Sequence, residues 1–491
     1  MSTERSDRQV AITFAALTLG TAGYTLLQSM VLPALPVIQR DLHTSQTTAT
    51  WVLTAYLLSA SVATPILGRL GDMFGKKKML VVVYASLTAG SLLAALTSSV
   101  GVLIVARVIQ GLGGGLFPLS FGIIRDEFPA RRVPGAIGMM SGMLGIGSAF
   151  GIVIAGPVVD HLSWHWLFWI PLIMSAIATL TTALFIPESP VRNPGRVNLP
   201  AAALLSGWLV ALLLGLNRGS AWGWTSGGTL ALFGAAVVLI VLWIQVEERS
   251  AVPLIDMTMM RVPAVWWTNV AALLLGVGMY STFIVIPPFL QAPPEAGYGF
   301  DASVTTSGLY MLPSSMAMII MSSLIGKITA RRGAKQPLVV GSLLASVPFL
   351  MLSVAHHEPW EFFVATTIQG IGIGLAFSSM SNLIIEAVPP AQTGAATGMN
   401  ANIRTIGGSI GSQVVTSILA SGALASGLPS EHGYSVSFAV LAVSMVAAGV
   451  AAAIVPVRRQ PTGTPAAGAA ATKSMALPEP RGGAPATTQS W

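Results

Sequence analysis

Gly68-Arg69-Leu70-Gly71-Asp72-Met73-Phe74-Gly75-Lys76-Lys77 returns 258 positions later, degraded but in order, as Gly326-Lys327-Ile328-Thr329-Ala330-Arg331-Arg332-Gly333-Ala334-Lys335. Two further matches keep nearly the same offset. VARVIQGLGGGL from Val105 reappears as VATTIQGIGIGL from Val364, a shift of 259, and Pro129, Ala136, Gly138 and Met139 correspond to Pro389, Ala396, Gly398 and Met399, a shift of 260. An ordered, direct repeat of this length marks a duplicated half, from which membrane proteins build two bundles around one site.

The surroundings of these segments are those of a membrane protein. Of the 491 residues, 53% are hydrophobic and 9% charged, with a mean hydropathy of +0.74, whereas a soluble domain carries about 25% charged residues. A soluble globular fold is excluded. The net charge of +7 is scattered between apolar runs, which argues against a nucleic-acid surface, and the absence of cysteine excludes disulfides and thiolate metal sites.

A span needs about 20 mainly apolar residues to cross about 30 Å of hydrocarbon. Fourteen runs qualify, near 10–38, 47–68, 79–97, 101–124, 135–159, 164–187, 199–217, 227–246, 263–290, 303–325, 337–355, 360–385, 396–422 and 434–456. The first is too long for a signal peptide and lacks a small-residue cleavage pattern. With the N-terminus inside, 21 of the 25 Lys and Arg residues fall on the inner side, Arg40 and Arg218 fall outside, and Arg107 and Arg404 fall within runs. Basic residues stay on the cytoplasmic side during insertion, so both termini are expected there. A same-sense repeat requires an even number of spans between copies, so spans 1–6 pair with spans 9–14. The expected organisation is a cytoplasmic N-terminus (1–9), a six-helix bundle (10–187), a linker with two extra spans (188–262), a second six-helix bundle (263–456) and a disordered Pro/Ala/Gly/Thr-rich cytoplasmic tail (457–491).

The segment Gly68–Lys78 resembles the helix 2–3 signature of the major facilitator superfamily. Arg107-Val108-Ile109-Gln110-Gly111 with Gly113, Gly114 and Gly115 is similar to its helix 4 motif, and Asn402–Gly411 to helix 13 of its fourteen-helix drug:proton antiporter branch. The resemblance runs from about Thr13 to Pro456. It implies an all-α integral membrane protein of the bacterial-type cytoplasmic membrane with the major facilitator fold, exporting lipophilic drugs or secondary metabolites by alternating access with protons as coupling ion. Two departures stand out. Where the branch carries an Asp in helix 1, this chain reads Leu27-Gln28-Ser29-Met30, and its helix 5 motif is altered to Gly151-Ile152 followed by Ala155-Gly156-Pro157. They leave open an importer or uncoupled facilitator of an amphiphilic metabolite.

Other classes fare worse. A membrane-embedded enzyme needs a nucleophile, base or metal set at one depth, yet all 18 acids and six histidines lie in loops or at span ends. No catalytic residue is assigned. The glycine strings lack G-x-x-x-x-G-K-[ST], so no nucleotide loop or other cofactor is expected. The clusters Asp160/His161/His165 and His356/His357/Glu358 read as interfacial loop residues, and no metal is assigned. A non-transporting sensor remains consistent with composition. The expected partners are a small-molecule substrate, protons and membrane lipids.

The resemblance assigns Gly68, Arg69, Asp72, Gly75, Lys76 and Lys77 to an inner gate. A carboxylate at Asp72 can accept hydrogen bonds from an apposed helix N-terminus, while Ala330 at the repeat position makes the second gate chemically different. Arg107, Gln110 and Arg404 are assigned to the transport pathway. A mid-membrane arginine costs about 2.5–3.5 kcal/mol and must face a polar cavity or a partner; Gln110, duplicated as Gln369, equally suits packing. With no acid at mid-span, the candidate proton carriers are Asp72, Asp126, Asp160 and Glu386. The superfamily arrangement puts Tyr24, Gln28, Tyr56, Tyr280, Phe283, Tyr310 and Asn400 on cavity-lining spans. An aromatic, sparsely polar wall suits bulky amphiphiles, and two arginines without an acid favour neutral or anionic ones.

Overall fold

The computed structural model describes residues 7–189, 198–250, 253–422 and 428–456; the expected tail and the first six residues lie outside them. Fourteen helices of 20 residues or more make up the described chain, which contains no strand. They are α1 (Asp7–Asp41), α2 (Gln46–Phe74), α3 (Lys76–Leu96), α4 (Val100–Glu127), α5 (Val133–His161), α6 (Trp166–Phe185) and α7 (Leu199–Trp222). The chain continues through α8 (Gly227–Arg249), α9 (Pro263–Gln291), α10 (Val304–Arg332), α11 (Lys335–Val354), α12 (Pro359–Ala387), α13 (Thr393–Ser421) and α14 (Glu431–Ile454). Short polar turns start them: Ser45, Asn198, Ser226, Ser303 and Ser430 each cap a first turn by accepting a backbone N–H. Twelve are long and apolar enough to cross a membrane. The other two are α5 and α13, and α13 carries Asn400, Asn402, Arg404 and Gln413.

Apolar burial divides along the repeat. One core is drawn almost wholly from α1–α6, a second from α9–α14. A third gathers Trp208, Leu209 and Trp243 of the α7–α8 pair against Ile384 and Val388 at the end of α12 and Ala396 and Met399 of α13, with Ile66 of α2 at its margin. The inserted helices therefore lean on both halves.

The halves meet through α2 with α13, α5 with α10 and α12, and α4 with α13. Glycine permits the closest approaches. A Cβ on Gly68 would run into the backbone of Gly394, and one on Gly326, its repeat counterpart, into the backbone of Gly135. The duplicated motif thus makes the same kind of backbone contact twice, once across each seam.

Candidate functional site

At the end of the bundle carrying the α2–α3 turn, Asp72 is fully buried and reaches across the seam to the first turn of α13. Its carboxylate accepts the N–H groups of Gly394 at 3.4 Å and Ala395 at 3.2 Å. These are orphan donors at a helix N-terminus, where a negative charge is favoured. On its own side of the seam Lys76, also buried, lies 3.9 Å from Asp72 and 2.5 Å from Asp126. Asp126 also accepts the Ser189 hydroxyl. Arg69 is buried beside this group. Gly75 turns the chain between α2 and α3 at φ +113°, where a Cβ would collide with the Glu188 carboxylate, and Glu188 accepts the Lys77 N–H at 3.1 Å. The six gating candidates thus form one contiguous cluster whose bond across the seam is made by Asp72.

Two supports of this cluster, Arg125 and Asp256, had no distinct signal in the sequence, and a third, Glu247, had only a faint one. Arg125, counted there among the inner basic residues, donates to the Thr393 hydroxyl at 2.6 Å and the Val388 carbonyl at 2.9 Å, a second latch across the seam. Glu247, buried at the end of α8, accepts Trp243 Nε1 at 3.2 Å and the Leu254 and Ile255 N–H groups at 2.8 and 3.2 Å. It fastens the loop after α8, whose Asp256 accepts Gln392 Nε2 at 3.2 Å, just before α13. Burial pushes the Asp256 carboxyl up, but the hydrogen bonds from Thr258 and Gln392 outweigh it and hold the group below its ordinary value.

Deeper in the bundle, Arg107 is fully buried on α4. Its Nε donates to the Val52 carbonyl at 3.0 Å, its Nη1 to Gln110 Oε1 at 2.8 Å, and its guanidinium lies 4.1 Å from the centre of the Tyr56 ring. Gln110 passes the chain of bonds to Ser91 at 3.1 Å. Tyr24 packs 6.3 Å from Tyr56 and 6.3 Å from Phe117. From the other half, Arg404 lies 4.2 Å from the centre of the Phe377 ring, with Tyr280 and Tyr24 in electrostatic range, and Tyr24 is also in range of Arg107. Arg107 Nη2 and Arg404 Nε have no hydrogen-bond partner among the described residues. Two guanidinium groups, one from each half, thus share an aromatic surrounding with donors to spare.

Not every candidate joins this group. Asn400 is buried and donates to Asn269 Oδ1 at 2.8 Å, joining α13 to α9; its neighbour Asn402 crosses the seam to the Ser61 carbonyl at 2.7 Å. Tyr310 packs on Phe363 at 4.4 Å, and Phe283 packs against the second core. Gln28 is half-buried on α1. Glu386 is exposed near the end of α12, while Asp160 is the last residue but one of α5, with a side chain outside the described ones. Phe117 and Phe377 were missed, since a phenylalanine in an apolar run carries no distinguishing pattern.

Known proteins resemble this chain throughout. The family model of the Major Facilitator Superfamily matches residues 17–412. The tetracenomycin C resistance and export protein of Streptomyces glaucescens is 30% identical over 413 residues, 83% of this chain and 76% of that protein. Multidrug resistance protein Stp of Mycobacterium tuberculosis is 29% identical over 84% of this chain and 76% of its own length. Among solved structures, the human organic anion transporter MFSD10 (TETRAN) superposes with a TM-score of 0.60 at 17% identity, covering 90% of this chain and all of that one. The proton:xylose symporter XylE gives 0.62 at 13% identity, covering 89% of this chain and 95% of its own. Sequence, fold and paired halves agree, and the chain belongs to the major facilitator superfamily as an integral membrane transporter, not an enzyme.

Proposed function

We propose that this transporter is a secondary exporter of lipophilic small molecules, neutral or anionic, working by alternating access across a bacterial-type cytoplasmic membrane. All fourteen long helices span it, both termini are cytoplasmic, and the two six-helix bundles rock about the seam. The Asp72 contact with the N-terminus of α13 is the closed inner gate, and Arg107, Gln110 and Arg404 line the pathway. The names of the relatives, resistance and export proteins, support the direction of transport. The observation that carries the substrate class is the pair of buried arginines, each with an unpaired N–H. A buried anion would satisfy them, whereas a cation would enter without a counter-charge. Protons are the coupling ion, carried by a peripheral acid among Asp72, Asp126, Asp160 and Glu386.

Proteoliposomes loaded with matched cationic, neutral and anionic dyes test both parts. Export should favour the neutral and anionic dyes and slow when the pH gradient is collapsed at constant membrane potential. Robust export of a permanent cation such as ethidium, with little of the anion, would sink the substrate class. Flux indifferent to the pH gradient would remove proton coupling and favour the uncoupled facilitator.

A further inference from the structure

At the opposite end of the second half, His356 follows α11 and is almost fully buried, at 5% exposure. Its Nδ1 lies 2.8 Å from the Leu352 carbonyl and its Nε2 lies 2.9 Å from Glu431 Oε1, at the start of α14. A carbonyl only accepts, so Nδ1 carries a proton, and in the tautomer this sets the Nε2 lone pair faces a carboxylate. Two acceptors that close require a cation between them. A proton would serve two atoms, but a third ligand converges here: His357 Nδ1 lies 3.8 Å from the same Glu431 oxygen, and the three ligand atoms all lie within 4.8 Å of one another.

From this geometry we infer that His356, His357 and Glu431 form a binding site for a divalent transition metal, with zinc the best match. Tetrahedral zinc bound by imidazole nitrogen and carboxylate oxygen needs ligand atoms about 3.3 Å apart. His357 and Glu431, 70% and 42% exposed, have room to close to that spacing around the anchored His356. The Leu352 carbonyl on Nδ1 is the outer bond that fixes the tautomer of a metal-binding histidine. Two imidazoles and one carboxylate select zinc or its neighbours over calcium and magnesium, which prefer all-oxygen sets. A cavity of about 270 Å³ lined by Tyr298, Phe300 and the two histidines adjoins the site and has room for a water as the fourth ligand. The ion would clip the end of α11 to the start of α14. Tyr298 already donates to the Pro429 carbonyl at 2.6 Å, tying the loop after α9 into the same rim.

The test uses the full chain in detergent, freed of any histidine tag. Titration calorimetry with zinc chloride should give one site per chain, undiminished by excess magnesium or calcium. Cobalt should produce the visible absorption of a tetrahedral nitrogen–oxygen site. His357→Ala changes an exposed side chain and leaves folding intact, so it and Glu431→Gln should each weaken binding about tenfold or more. His161→Ala with His165→Ala should change nothing. Absence of zinc binding in the wild type, or wild-type affinity in both His357→Ala and Glu431→Gln, would overturn the assignment.

Discussion

Replacing Asp72 by asparagine keeps the side-chain volume and removes the charge from the proposed gate. In the structure the carboxylate accepts two N–H groups of α13, at 3.4 and 3.2 Å. A hydrogen bond to a charged group contributes about 1.5–3 kcal/mol, and these bonds are long, so each belongs at the low end. The amide oxygen of asparagine still accepts one of them, but without the attraction between an anion and a helix N-terminus, which adds about 1 kcal/mol. The proposed closed gate should lose about 2.5 kcal/mol, which moves the closed-to-open ratio about 70-fold. The fold should survive, because Lys76 keeps its partner Asp126 at 2.5 Å. The chain contains no cysteine, so Arg131→Cys and Arg332→Cys, both on exposed positions flanking the seam between α5 and α10, accept spin labels without further changes. Electron–electron double resonance in Asp72→Asn should show a longer-distance population, accompanied by loss of dye export at unchanged expression. A distance distribution identical to that of the parent would refute the gate.

The same assays check two other substitutions. Arg107→Lys should cut export at least about tenfold, because a point charge cannot together reproduce the bonds to Val52 and Gln110 and the stacking on Tyr56; full activity in the lysine variant would show that charge alone matters there. Gly394→Ala should lengthen the spin-label distance even with Asp72 intact, since its Cβ would meet the Gly68 backbone and lie 3.0 Å from Asp72 Oδ2. An unchanged distance would mean that the seam yields easily at this point.

How much of this was legible in the sequence depended on how local each signal is. The duplicated motif exposes itself because Gly68, Asp72 and Gly75 sit within one short stretch, and its counterpart keeps the glycines. Arg107 stood out because a charge in an apolar run demands a reason. Arg125 did not, because an arginine beside an inner loop already has one, and its partners Thr393 and Val388 lie in the other half. The register between halves is a tertiary property that no local pattern carries. Span assignment also fixes depth but not rotation about the helix axis. For that reason Asn400 could be placed on a lining helix while its amide in fact turns to Asn269. Glu247 did leave a trace: an acid one turn after Trp243 at the end of an apolar run, the spacing at which the two side chains bond.

The seat of the α7–α8 pair carries a consequence for the transport cycle. Its inner face rests on α12 and α13 while its margin touches Ile66 of α2, and Asp256 holds Gln392 beside the gate. Its outer face is a strip of exposed valine and leucine, including Val237, Val238, Val241 and Leu242. If α2 and α13 part as the proposed alternating access requires, the pair can follow only one of them and peels from the other. A pair that moves in this way drags its apolar strip sideways through acyl chains. Turnover under the proposed cycle is then expected to carry a frictional component set by the viscosity and lateral pressure of the surrounding bilayer, so that flux at a fixed gradient should change with lipid composition.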